Sequence, residues 1–174
     1  MNITLKTALF VALLLTGLSA GVAFAHLLEL PNKMVLSAQD YLLVQQHLYE
    51  GFGRVVGSIE QGAFLAAITV AVLVRKRLVP FLLTSLAVVC CVAALILWQI
   101  YNGPVNQAVD SWTVATMPSN WMTYRDRWEY AHATRAVLYT IGLGALSLSA
   151  LTGAQTSRWV SDSLHREERK PSTL

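Results

Sequence analysis

Four apolar runs, residues 7–25, 55–74, 80–101 and 136–157, restrict this 174-residue chain more than any other feature. Each approaches the roughly 20 helical residues needed to cross a bilayer core at about 1.5 Å per residue. A backbone in lipid must satisfy its own hydrogen bonds, and runs of this length do so as helices. The expected fold is all-α: an integral membrane four-helix bundle, with residues 1–174 as a single membrane domain. Charged residues make up only 13% of the chain and the mean hydropathy is +0.49, which is too apolar for an ordinary soluble domain. Its chief partner is then the lipid bilayer.

The basic residues cluster beside the apolar runs, as membrane anchors do, so the net charge of +3 carries no nucleic-acid signal. With the Arg75-Lys76-Arg77 turn inside, eight of the thirteen Lys and Arg residues fall on the inner side. That bias orients both termini to the cytoplasm, in what reads as a bacterial inner membrane. The expected spans are then 7–25, 55–74, 80–101 and 132–157, with outer loops 26–54 and 102–131 and a charged tail at 158–174. Ala23-Phe24-Ala25 also imitates a signal-peptide cleavage site before His26. A ridge of small residues, Gly17, Gly21 and Ala25, favours a retained helix, and with similar ridges at Ala63/Ala67/Ala71 and Ala145/Ser149/Gly153 it would let helix backbones approach closely in a compact bundle.

Both long connections lie on the outer side, so function is expected there. Ser37 can cap a helix over residues 36–53, with Asp40 in its first turn and Tyr41, Val44, Leu48 and Phe52 as an apolar stripe. This is an additional interfacial helix that either seals the bundle mouth or covers a site.

Three histidines on this side stand three residues from a glutamate: His26 with Glu29, His47 with Glu50, and His132 with Glu129. Residues three apart share a helix face, so His26, Glu29, His47 and His132 form a candidate metal set for iron or copper. The alternatives are solvated interface residues, a b-type haem between His26 and His132, or no cofactor. Glu60 lies inside an apolar span and needs a partner; Arg135 is the natural one, as a structural ion pair or as part of a proton-handling site. Cys90 and Cys91 sit mid-span and read as buried free thiols.

The stretch 98–139 carries most of the chemistry. Asn102 and Asn106 flank Gly103-Pro104, where the third helix is expected to turn. Trp121, Arg125, Trp128, His132, Arg135 and Tyr139 then follow at intervals of three and four, one face of a fourth helix that starts near Asn120, outside the bilayer. Such a face can hold a flat or anionic molecule by stacking and guanidinium hydrogen bonds.

The N-x-P-x-N element from Asn102 to Asn106, followed by W-x3-R-x2-W-x3-H-x2-R from Trp121 to Arg135, resembles the anthrone oxygenase-like membrane family. That resemblance implies a small four-helix membrane protein and oxidation of a hydrophobic phenolic or quinone-like molecule by dioxygen. It further implies His132 as base, Arg135 as anion stabiliser and Asn106 as a positioning donor; Glu60, as the proton-handling acid read from its place in an apolar span, joins this catalytic group. Trp128, Arg125 and Asn102 are then the ligand-binding residues. The competing class is a non-enzymatic membrane subunit or binding protein, working as a homo-oligomer or with a membrane-complex partner.

Overall fold

The computed structural model describes the backbone of residues 2–168 and the side chains of residues 2–152. Among these residues the chain is helical and contains no strand. The elements are α1 (Ile3–Lys33), α2 (Ala38–Leu43), α3 (Phe52–Val74), α4 (Leu78–Leu97), α5 (Gly103–Asp110) and α6 (Trp121–Glu168). Four helical columns, Ile3–Lys33, Phe52–Val74, Leu78–Asp110 and Trp121–Thr152, are long and apolar enough to cross a membrane. The molecule is an all-α bundle of the integral membrane type. The charged-tail expectation falls on α6 backbone up to Glu168 and otherwise lies outside the described residues.

The bundle is a square of antiparallel neighbours, with α1 against α3 and α6, and α4 against α3 and α6. Small side chains set the spacing: Ala12, Ala63, Ala67, Ala87 and Ala94 are fully buried where backbones approach. The α3 and α6 ridges serve as expected through Ala63, Ala67, Ala145 and Ser149. The α1 ridge does not. Gly21 and Ala25 are exposed and nothing lies within 4 Å of a methyl placed on Gly17 or Gly21, because α1 instead turns Ala12, Thr16, Ser19 and Ala23 inward. Polar atoms also join the helices, with Thr84 Oγ1 and Ser149 Oγ 3.1 Å apart and both reaching the Pro80 carbonyl oxygen. Cys90 and Cys91 are buried free thiols.

Two sequence-based boundaries move. The first span was expected to end at residue 25, but α1 continues to Lys33 through Pro31. His26, Glu29 and Lys33 share the inward face of this extension and pair with one another, so the polar residues hold the helix instead of ending it. The expected turn at Gly103-Pro104 is also absent. A π-helical turn at Trp98–Asn102 carries α4 into α5, the Gly103 N–H donating to the Trp98 carbonyl five residues back. Pro104 occupies the first turn of α5, where it needs no N–H partner.

The interfacial helix is present as α2, capped by Ser37 Oγ, which accepts from the Asp40 N–H at 3.2 Å. It passes into a second π-helical turn, Val44–Leu48, and ends at Gly51, whose φ of 78° is a left-handed conformation suited to glycine. The π turn rotates the register, so Tyr41, Leu42 and Gln45 face inward while Leu48 and Phe52 are exposed; the single stripe expected from the sequence is split.

Candidate functional site

At one end of the bundle, Gln45, Gln46 and His47 of one π turn and Trp98 of the other help line a cavity of about 770 Å³. Its deep end is formed by His26 from α1, Glu60 from α3, Asn106 from α5, and Trp128, His132 and Arg135 from α6. The roof is the segment from Gln45 to Arg54, held down by Gln46 Nε2, which donates to the carbonyls of Val109 and Trp112 at 2.8 and 2.9 Å. Trp98, Trp112, Trp121 and Trp128 all sit in the elements at this end, the placement of an interfacial aromatic belt.

The α6 face expected from the sequence is present: Arg125, Trp128, His132, Arg135 and Tyr139 are all buried along one unbroken helix. Arg135, only 2% exposed, is the centre of the floor. Its Nη2 pairs with Glu60 Oε1, its Nε donates to the Ala94 carbonyl at 3.2 Å, and its Nη1 lies 3.2 Å from His132 Nδ1. The Glu60–Arg135 partnership read from the sequence is therefore formed.

The arginine fixes the neighbouring histidine. A guanidinium only donates, so His132 Nδ1 must accept, and the neutral ring carries its hydrogen on Nε2. The His132 ring packs against Trp128 and His26 with centroid distances of 4.1 and 4.4 Å. His26 is oriented from the other side: its Nδ1 lies 3.2 Å from Glu29 Oε2 and 3.3 Å from Lys33 Nζ. We expect nitrogen-detected NMR of the imidazoles to find His132 as the neutral Nε2–H tautomer, and Arg135→Met to release it to a tautomer mixture. A protonated or Nδ1–H His132 in the native protein would contradict this geometry.

Lys33 is the residue that the sequence did not single out. It is only 4% exposed, pairs with Glu29 Oε2 at 2.9 Å, and approaches Glu129 Oε1 at 3.6 Å. Its ammonium also lies over the Tyr49 and Trp128 rings, 4.5 and 4.6 Å from their centroids. The signal was present in the i, i+3, i+7 series His26, Glu29, Lys33, but the first span was bounded by its apolar run, which ends at Ala25. Tyr49 completes the cluster by donating its hydroxyl to Glu29. Burial, reinforced by the Glu29 carboxylate, holds the Tyr49 phenol well above its usual range, so it remains a donor.

The other proposed residues divide by role. Asn106 lines the cavity and accepts from the Trp128 indole N–H at 2.7 Å through Oδ1. Asn102 is buried and donates to the Trp128 carbonyl at 3.0 Å. Arg125 donates to the Met34 carbonyl at 2.9 Å, just beyond α1. Asn102 and Arg125 thus brace the helices and are not among the residues lining the cavity, contrary to their expected ligand-binding role.

The expected metal set is not assembled. Of the three His/Glu pairs only His26 and Glu29 meet; Glu129 turns to Lys33, and His47 is exposed on the roof. Among the described residues no three His, Cys, Asp or Glu side chains converge to hold an ion. Glu29 is taken by Lys33 and Tyr49, and the Nε2–H tautomer makes His132 a donor. A haem between His26 and His132 does not fit either: two axial imidazoles stand on opposite faces of the macrocycle, whereas these two rings are in direct contact with centroids 4.4 Å apart.

The fold and site define an integral membrane helical bundle with a polar cavity at one end. The chain matches no family model, no curated protein and no solved structure.

Proposed function

We propose that this protein is an oxygen-dependent oxidase of a hydrophobic phenolic molecule, related in chemistry to the anthrone oxygenase-like family. The observation that carries the reading is the pair of oriented imidazoles, His26 and His132, side by side in a cavity with room for a polycyclic molecule. The net reaction is oxidation of an activated methylene: CH2 and O2 give C=O and H2O, the carbon losing four electrons and dioxygen gaining four.

The roles follow from the hydrogen bonds. His26 Nδ1 lies between Glu29 Oε2 at 3.2 Å and the Lys33 ammonium at 3.3 Å; in the tautomer whose Nδ1–H donates to Glu29, the Nε2 lone pair accepts the carbon-bound proton. The electron pair delocalises onto the neighbouring phenone oxygen, which receives the His132 Nε2–H bond. Arg135 acts through His132, holding its tautomer, instead of touching the oxyanion itself. The electron-rich carbon then bonds to dioxygen, and cleavage of the O–O bond with loss of water leaves the new carbonyl. This reverses the expectation that His132 is the base.

The reading places the cavity on the outer side of a bacterial inner membrane with both termini cytoplasmic. What supports that orientation is the Arg75-Lys76-Arg77 turn between α3 and α4, at the end opposite the cavity. A panel of hydroxyaryl ketones with activated methylenes, supplied to purified protein in an oxygen electrode, tests the function. We expect turnover that falls by at least about a hundredfold in His26→Ala, the scale of general-base catalysis. Undiminished turnover in that variant would remove His26 from the mechanism. A second reading, a membrane ligand-binding subunit, is favoured by the same cavity and requires saturable binding without oxygen uptake.

A further inference from the structure

The cavity contains polar atoms left over after the internal hydrogen bonds are made. His132 is 8% exposed and His26 6% exposed, yet each uses only its Nδ1, and neither Nε2 has a partner among the described residues. Neither Nε2 is among the buried atoms closed off without a hydrogen bond, so both open onto the cavity they line. Asn106 repeats the pattern. Its Oδ1 is taken by the Trp128 indole, which directs its Nδ2 hydrogens elsewhere, and its side chain also lines the cavity. Two fixed donors, His132 Nε2–H and Asn106 Nδ2–H, thus come from α6 and α5, while His26 Nε2 comes from α1.

Around them the lining combines the flat faces of Trp98, Trp112 and Trp128 with charged side chains such as Glu50, Arg54 and Asp110. Leu48 on the roof and Phe52 and Val55 at the start of α3 are exposed apolar side chains, and Phe52 also lines the cavity. A water-soluble ligand has no use for these side chains, whereas an alkyl tail entering from lipid does.

We infer that the cavity binds a lipid-tailed quinone or its hydroquinone. The two ring oxygens accept from His132 and Asn106, hydroquinone hydroxyls can donate to His26, and the tail leaves past Leu48, Phe52 and Val55. The inference rests on the same cavity as the proposed oxidase but needs no turnover, so the two fail separately. It specifies a ring with two oxygens and a hydrophobic tail, a molecule drawn from the bilayer.

The experiment titrates the full-length protein in detergent with decyl-benzoquinone, alone and in competition with decylbenzene, which keeps the tail and loses both oxygens. Tryptophan quenching reports occupancy. Asn106→Asp keeps the acceptor for Trp128 and deletes the donor, and circular dichroism establishes that the variant is folded. The expected result is saturable quenching by the quinone, about tenfold weaker in Asn106→Asp, the usual scale for one lost hydrogen bond, and not relieved by competing decylbenzene, which does not itself quench indole. His132→Phe should weaken binding by a similar factor and tests the other donor independently. Equal affinity for decylbenzene, unchanged affinity in both folded variants, or no saturable quinone binding overturns the inference. Quinone binding without oxygen uptake on any methylene substrate would uphold it and overturn the oxidase.

Discussion

Glu60→Ala is expected to destabilise the bundle by about 3–5 kcal/mol, the usual consequence of stranding one member of a buried ion pair. Glu60 is only 3% exposed and is the carboxylate partner of Arg135. The Ala94 carbonyl and His132 Nδ1 would remain as partners, but neither carries charge to balance the guanidinium in an apolar span. The sign reverses when both charges go. Glu60→Leu with Arg135→Met should recover most of the lost stability, because packed apolar side chains often replace a buried pair at little cost. Reversible unfolding in mixed detergent measures all three variants. Equal stability of Glu60→Ala and the native protein would mean that the pair is not formed.

Lys33→Met carries the second large effect, about 2–4 kcal/mol of destabilisation, reduced from the full buried-pair value because Glu29 is half-exposed. The methionine keeps the stem that packs on Tyr49 and Trp128 while removing the ammonium between Glu29 and Glu129. Glu129 is 1% exposed and neither of its carboxylate oxygens has a hydrogen bond, so Lys33 is the nearest charge that offsets it. Glu129→Gln introduced into Lys33→Met should therefore restore more than half of the loss. A double-mutant cycle on thermal unfolding reads this coupling directly. Strict additivity would show that Lys33 and Glu129 do not interact.

These two clusters show which parts of the molecule the sequence could disclose. The spans, the α6 face and the Glu60–Arg135 pair were legible because each follows from a local rule: run length, helical period, or the need of a lone buried charge for a partner. The inward turn of His26, Glu29 and Lys33 was hidden because it depends on where α6 places Glu129 and where the roof places Tyr49. The Gly-Pro signal misled where α4 passes into α5. Pro31 is tolerated near a helix end whose side chains pair internally, and a π turn absorbs Gly103-Pro104.

The metal expectation failed for a related reason. Spacing placed a histidine and a glutamate on one face three times, but face sharing does not decide which partner a carboxylate takes. Lys33 competes for Glu29 and Glu129, and Arg135 competes for His132. The same competition gives the site its organisation, since it fixes one imidazole as a donor and leaves the other nitrogen of each ring facing the cavity.

Isotopic labelling distinguishes oxygenase chemistry in the cavity from simple binding. The purified protein in phospholipid nanodiscs is supplied with a hydroxyaryl ketone carrying an activated methylene, under 18O2, and the product is weighed by mass spectrometry. We expect one 18O in the new carbonyl, one O2 consumed per product, and loss of both in His26→Ala. Absence of labelled product from every substrate in the panel, with the protein folded and the cavity intact, would contradict oxygenase chemistry and leave the cavity as a binding site.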